Sequence, residues 1–134
     1  MGLKLRYLAV LLVGLATALP AGAQVGHPLK GSWSGYWGPD SNDQRRILLL
    51  LDWKNRTLSG VINPGPKAVP IEHADMNYDT WMLTLEAEMP TTDGKTAHWV
   101  THGKVENLGS WTNRTYEGTY EFGSEKGTFK VVIN

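Results

Sequence analysis

Clusters of Gly, Pro, Asn and Asp divide the chain from residue 24 onward into short segments, and this punctuation restricts the fold more than any other feature. The clearest segments, 81–88 and 115–122, alternate apolar and polar residues. A period of two with one polar face is typical of half-buried strands, and no segment shows helical spacing. The pattern predicts an all-β domain of antiparallel strands joined by short turns.

We predict eight strands between these clusters. They cover Lys30–Trp37, Arg45–Trp53, Thr57–Asn63, Ala68–Asp75, Thr80–Glu88, Thr96–Asn107, Thr115–Phe122 and Thr128–Ile133. An open sheet of this kind has two costly edges, which disappear if the eighth strand pairs with the first. We therefore expect a small eight-stranded antiparallel up-and-down barrel, with an open β-sandwich as the alternative.

The second strand contains Ile47–Leu51, which is apolar on both faces. We expect its outer side to be covered by a loop, by the N-terminal arm or by another subunit. A buried helix is the competing interpretation of so short an apolar run. The strands and turns on either side favour the strand.

One ten-residue pattern occurs twice, at Trp53–Ile62 and at Trp111–Tyr120, as Trp-x-Asn-Arg-Thr-Φ-x-Gly-x-Φ. Asn tolerates the left-handed turn conformation, and Gly relieves crowding where a barrel wall bends. The likeness ends with these ten residues, so we interpret it as repeated turn chemistry and not as a duplicated domain. Both copies contain an Asn-x-Thr sequon, which matters only in a host that glycosylates.

The first 23 residues predict a signal peptide. Lys4 and Arg6 precede the apolar stretch Tyr7–Leu19, and Ala21–Ala23 offers small residues to a peptidase. The apolar stretch is shorter than the roughly 20 residues of a membrane span. We expect cleavage before Gln24, a single domain over 24–134, no membrane anchor after cleavage, and a periplasmic or secreted location. An uncleaved N-terminal anchor is the alternative.

Composition excludes several classes of protein. The sequence has no cysteine, which excludes disulfides, a thiol nucleophile, a Cys-based zinc site and a lipid anchor through Cys. The predicted leader holds two of the thirteen basic residues and none of the thirteen acidic ones, so eleven basic and thirteen acidic residues give the mature chain a net charge of −2. Because it also lacks a basic run, we expect neither nucleic acid nor an anionic membrane surface as a partner.

The opening Gly31-Ser32-Trp33 resembles the Gly-x-Trp that begins the first strand of lipocalins and avidins, and Leu58–Val61 resembles the second hairpin of avidin-like barrels. Two longer stretches, 31–39 and 106–115, resemble uncharacterised secreted bacterial domains with the same opening. The resemblance implies a calycin-like barrel in which Trp33 packs at the closed end. The avidin pattern for biotin is not present, and the bacterial domains imply no activity.

Six tryptophans, all beyond residue 24, are many for so short a chain. They are Trp33, Trp37, Trp53, Trp81, Trp99 and Trp111. Because Trp joins a flat apolar face to one N–H donor, such residues can line a ligand cavity or stack on a glycan. The alternative is that a small barrel without disulfides fills its interior with large rings. As ligand-binding residues near one barrel end we predict Tyr36, Trp37, Trp81 and Trp99.

Histidines and carboxylates offer a second kind of site. His98 and His102 share one face of a strand but lie roughly 13 Å apart at strand rise, too far to bind one ion. Folding the next hairpin about Thr92 places Glu86 opposite His98, with Glu88 on the same face. This trio is the best acid/base candidate, and a solvated cross-strand pair is its alternative. We predict no metal, no cofactor and no catalytic residue.

Three functions follow from these observations. The first is an exported, non-catalytic binding module that holds a small apolar or amphipathic ligand, or a glycan, through a Trp-lined barrel end. The second is an interaction or inhibitor domain that binds a protein partner through a loop or through the outer face of Ile47–Leu51. The third is a hydrolase that uses Glu86 and His98. Interior volume separates the first two, because a barrel filled by its own rings favours a partner and a lined cavity favours a ligand.

Overall fold

The computed structural model describes residues 27–134, and these form one antiparallel sheet of nine strands with no helix. The strands are β1 (Gly31–Asp40), β2 (Asp43–Lys54), β3 (Thr57–Ile62), β4 (Val69–Pro70), β5 (His73–Asn77), β6 (Met82–Pro90), β7 (Thr96–Glu106), β8 (Thr115–Phe122) and β9 (Glu125–Ile133). The all-β prediction is confirmed. The predicted signal peptide and its cleavage site lie outside the described residues.

The sheet has the order β4-β3-β2-β1-β9-β8-β7-β6-β5, so it is not a closed barrel. The first and last strands do pair as predicted, with Trp33 opposite Ile133 and Gly38 opposite Thr128. The predicted closure is nevertheless wrong, because the sheet's two edges are β4 and β5, in the middle of the chain.

The edges arise because the predicted strand Ala68–Asp75 is two short strands that pair with opposite ends of the sheet. β4 pairs with β3, and β5 pairs with β6. Between them the Ile71 N–H donates to the Gly60 carbonyl (2.9 Å), and the Glu72 N–H donates to the Glu86 carbonyl (2.8 Å). Pro70 has no N–H to extend the first ladder. The chain thus changes partner within two residues, and β3 and β5 do not pair.

Alternate residues of the strands point to one face of the sheet and form a single core. Its buried members include Trp33, Trp37, Leu49, Ile62, Val69, Leu83, Leu85, Trp99, Tyr116, Tyr120, Phe129 and Val131. Because strands from β1 to β9 contribute to it, the sheet curls around this core. We call the enclosed side the inner face and the solvent side the outer face.

The outer side of β2 is more open than the sequence suggested. Ile47, Leu49 and Leu51 are buried on the inner face, but Leu50 is 45 % exposed and Leu48 is half-buried. No loop within residues 27–134 covers Leu50, so the expected cover is not found in the described part of the chain.

The two ends of the curled sheet are built differently. At the end where β1 begins, which we call the arm end, Leu29 is fully buried and its carbonyl accepts a hydrogen bond from the Trp33 indole (2.9 Å). Trp33 itself is fully buried here. The opposite end, which we call the hairpin end, carries the turn between β8 and β9.

Candidate functional site

Trp37 and Trp99, two of the predicted ligand residues, belong to the core at the hairpin end. Trp37 is 5 % exposed and Trp99 is 1 % exposed, and their rings meet edge to face with centroids 6.3 Å apart. Tyr120 and Phe122 pack on Trp37 with centroids at 4.8 and 5.5 Å. The Trp99 indole N–H has no hydrogen-bond partner within residues 27–134. These four rings fill the inner face here, and the two tryptophans offer no exposed ring face to a ligand.

A polar network lies over this aromatic cluster. The Arg45 guanidinium sits 4.1 Å from the Trp37 ring centroid and pairs with Glu125, which also accepts a hydrogen bond from the Tyr120 hydroxyl (2.6 Å). Burial, together with the hydrogen bond to Glu125, raises the pKa of Tyr120. Burial opposes ionisation of Glu125, but the hydrogen bonds from Tyr120 and Arg45 outweigh it and lower the pKa of that carboxyl. The network therefore holds the ion pair of Arg45 and Glu125 over the aromatic cluster at the hairpin end.

The other two predicted ligand residues lie elsewhere. Trp81 stands at the arm end, just before β6, with a left-handed backbone (φ 59°) and its ring centroid 5.7 Å from that of Tyr78. Tyr36 points to the outer face and is 49 % exposed. The structure thus brings Trp37 and Trp99 together but places Trp81 and Tyr36 in two other regions. Strand alternation could have placed Tyr36 outside, since residues 33 and 37 are four apart on one strand and therefore share the inner face.

A small pocket that the sequence did not predict lies between β3 and β5, two strands that do not pair with each other. We call it the seam pocket. Its volume is about 210 Å³, and it is lined by Trp53, Arg56, Thr57, Leu58, Ala74, Met76 and Tyr78. The His27 ring stacks on Trp53 at 4.1 Å, and its Nε2 lies 2.8 Å from the Tyr78 hydroxyl. Pockets for drug-sized ligands start at roughly 300 Å³, so this pocket suits a single ring at most.

A larger depression crosses the outer face from β2 over β1 and β9 to β8, and we call it the outer groove. Its volume is about 640 Å³, and it is lined by Ser34, Gly35, Tyr36, Gln44, Glu117, Gly118, Thr128, Phe129, Lys130 and Val132. The backbone is close-packed under it: a Cβ at Gly35 would meet the Lys130 carbonyl oxygen at 1.8 Å. The groove therefore has a floor of close-packed backbone, with polar side chains, Val132 and one tyrosine standing around it.

The predicted acid/base trio does come together, in solvent. His98 Nδ1 lies 3.0 Å from Glu88 Oε1, and its Nε2 lies 3.1 Å from Glu86 Oε1. The residue opposite His98 is Glu88 and not Glu86, a two-residue shift that leaves the face unchanged. The hydrogen bond to Glu88, assisted by Glu86, raises the pKa of His98. His98 and Glu88 are exposed and Glu86 is half-buried, so the arrangement is a solvated cross-strand ion pair when His98 is protonated.

His102 lies four residues from His98 along β7, and its Nδ1 is 3.2 Å from the Thr84 hydroxyl. Within residues 27–134, no three His, Asp or Glu side chains are grouped so that they could hold a metal ion. The described residues also include no helix that is long and apolar enough to cross a membrane.

No family model matches this chain, and no curated protein or solved structure matches it.

Proposed function

We propose that this protein is an exported, non-catalytic binding module that holds a glycan in the outer groove. One observation carries the proposal: an open groove of about 640 Å³ in which a half-exposed tyrosine stands among polar side chains. This volume falls within the roughly 300–1,000 Å³ that ligand sites occupy.

The chemistry of the lining suits a sugar. The Tyr36 ring offers a flat apolar face on which the C–H face of a sugar ring can stack. Around it, Gln44 can donate and accept, Thr128 carries a hydroxyl, and Glu117 accepts hydrogen bonds from sugar hydroxyls. Because these groups come from four neighbouring strands, β2, β1, β9 and β8, the sheet itself holds them in place.

Because aromatic rings pack the inner face at the hairpin end, we place the proposed ligand on the outer face and not within the Trp-lined end. A ligand inside the hairpin end would have to displace the Trp37 and Trp99 rings, which are in contact with each other and almost fully buried. Packed protein interiors resist such displacement. Any ligand or partner is therefore sought on the outer face.

A protein partner is the second candidate, and the outer face of β2 supports it. Leu50 is 45 % exposed and lies opposite Val61 of β3, which itself lies opposite Pro70 of β4. With half-buried Leu48 these residues form an apolar patch. Patches of this kind are frequent at protein–protein interfaces.

The test is a glycan-array screen of the exported chain, followed by titration of the best hit by calorimetry. Replacing Tyr36 by Ala should weaken binding on the order of tenfold, as about 1.4 kcal/mol of lost contact does. The matched control is Tyr78→Ala, because Tyr78 is also 49 % exposed but lines the seam pocket. Unchanged affinity in Tyr36→Ala would place the ligand elsewhere, and a loss confined to Tyr78→Ala would place it in the seam pocket.

A further inference from the structure

Five side chains form a straight line across the outer face. Each residue lies directly opposite the next on the neighbouring strand, from β2 through β1, β9 and β8 to β7. In order they are Arg46, Tyr36, Lys130, Glu117 and Lys104. We call this row the cationic line, and three of its members also line the outer groove.

The cationic line carries a net positive charge. It has three cations and one carboxylate, although the predicted mature chain has a net charge of −2. All four charged side chains are exposed. None of them forms an ion pair within 4.0 Å in the described part of the chain, where ion pairs join other residues. The cations are thus available to an anion from outside.

We infer that the ligand of the outer groove is an acidic glycan, a polysaccharide bearing carboxylate or sulfate groups, which lies across the strands along the cationic line. The inference rests on the proposed function and specifies its ligand. Adjacent strands are roughly 4.8 Å apart, so the four intervals from β2 to β7 span about 19 Å, enough for several sugar rings.

The arrangement around Tyr36 suits an acidic sugar. The Arg46 guanidinium lies over one face of the Tyr36 ring, 5.7 Å from its centroid, and Lys130 lies opposite Tyr36 on β9. A sugar ring stacked on the other face of Tyr36 would have cations on the two neighbouring strands, Arg46 on β2 and Lys130 on β9. Arg binds carboxylate and sulfate oxygens with paired N–H groups, and Lys binds them as a point charge. Glu117, which lies between two lysines, can accept a hydrogen bond from a hydroxyl of the next sugar ring.

Pairs of polymers that share a backbone but differ in charge provide the test. We would compare polygalacturonate with its fully methyl-esterified form, and dextran sulfate with dextran, in titrations of the exported chain at two salt concentrations. At least one acidic polymer should bind at least tenfold more tightly than its neutral counterpart, and higher salt should weaken that binding. A single-stranded DNA oligonucleotide serves as a non-glycan polyanion.

Two double variants with identical chemistry locate the site. Lys104→Gln with Lys130→Gln should reduce the affinity for the acidic polymer on the order of tenfold. Lys67→Gln with Lys95→Gln removes two exposed lysines outside the line and should leave affinity unchanged. Circular dichroism of both variants checks that they fold.

The outcomes separate the two claims. Equal binding of the charged and the neutral polymer in both pairs would overturn the inference and leave the proposed function standing. Equal loss in the two double variants would also overturn it, because the line would then have no special role. DNA binding as tight as glycan binding would show unselective attraction of polyanions and overturn it too. Binding to none of the polysaccharides, charged or neutral, would contradict the proposed function and the inference together.

Discussion

The two copies of the pattern Trp-x-Asn-Arg-Thr differ in structure although they share their sequence. In the first copy, Asn55 and Arg56 form a two-residue turn with φ of 52° and 60°, and Lys54 pairs directly with Thr57 across it. Turns with two left-handed residues match the twist of a tight hairpin. The second copy ends an eight-residue connection, 107–114, between β7 and β8, and forms no tight hairpin.

Burial is reversed between the copies. In the first, Trp53 is half-buried and stacks on His27, whereas Arg56 is exposed. In the second, Trp111 is 59 % exposed and Arg114 is only 2 % exposed. The same two residue types thus exchange roles: the Trp packs on the protein in the first copy, and the Arg does so in the second.

The surroundings of the second copy explain the reversal. Its longer connection folds back over the arm end, where Arg114 donates to the Pro28 carbonyl (2.6 Å) and the Leu108 carbonyl (2.5 Å). The guanidinium also lies 4.1 Å from the centroid of the Trp111 ring. A short sequence pattern therefore specifies turn residues, while the chain segments that pack on the turn decide which side chain becomes structural.

Arginine removal should give the largest contrast between the copies. Arg114→Ala deletes two charge-assisted hydrogen bonds and leaves two carbonyls near the arm without a donor, so it should lower the free energy of unfolding by about 3 kcal/mol. Arg56→Ala removes an exposed side chain and should change it by less than about 0.5 kcal/mol. Urea denaturation followed by tryptophan fluorescence measures both values.

A third variant tests whether the hydrogen bonds, and not the charge, matter in the second copy. Arg114→Lys keeps the charge but lacks the planar fork that reaches two carbonyls. Its unfolding free energy should fall between those of the wild type and Arg114→Ala. Equal stability of Arg114→Ala and Arg56→Ala would show that the two copies are equivalent after all.

Tryptophan removal should give the reverse contrast, at a smaller size. Trp53→Ala deletes a half-buried ring that packs on the core and on His27, and should cost about 2 kcal/mol, less than the roughly 3–5 kcal/mol of a fully buried Trp. Trp111→Ala loses an exposed contact with Arg114, worth about 0.5–1 kcal/mol. The same denaturation experiment applies, read by far-UV circular dichroism because a fluorophore is removed. A larger loss in Trp111→Ala than in Trp53→Ala would contradict the anchoring role of Trp53.

The same dependence on surroundings marks the limit of prediction from the sequence. The alternation of apolar and polar residues is a local property of the sequence. Most strands, including β8 at Thr115–Phe122, could therefore be located from the sequence. The division of Ala68–Asp75 could not, because it depends on which two distant strands offer free edges to this segment. The pairing of Glu88 with His98 was missed by two residues, since the bounds of the turn between β6 and β7 fix the register.

The candidate site was harder to predict than the fold. Four aromatic residues were named for a ligand, but only Tyr36 lines the outer groove. Whether rings fill an interior depends on the summed packing of the whole sheet, which no local pattern records. The cationic line could not be found either, because its members come from five strands and meet only through the exact register of four pairings.

Lowering the pH should reduce the free energy of unfolding through His27, which stacks on Trp53 of the first copy. The effect should be smaller than that of either substitution above. The Leu29 N–H donates to His27 Nδ1 (3.2 Å), so the proton of the neutral ring lies on Nε2 and can be donated to the Tyr78 hydroxyl. Burial lowers the pKa of His27 below its ordinary value. The folded chain therefore binds this proton less readily than the unfolded chain, and stability falls as pH drops from above about 6.5 towards the lowered pKa.

His98 provides the opposite sign in the same experiment. Its pKa is raised by Glu88 and Glu86, so its contribution is present below about 6.5 and is lost as pH rises through the raised pKa. We would measure the melting temperature between about pH 5 and pH 8, where histidine titrates, for the wild type, His27→Gln and His98→Gln. His27→Gln should reduce the gain of stability with rising pH, and His98→Gln should increase it. If the melting temperature of His27→Gln depends on pH as that of the wild type does, protonation of His27 does not change stability. The stacking of this ring on Trp53 would then not depend on its neutral form.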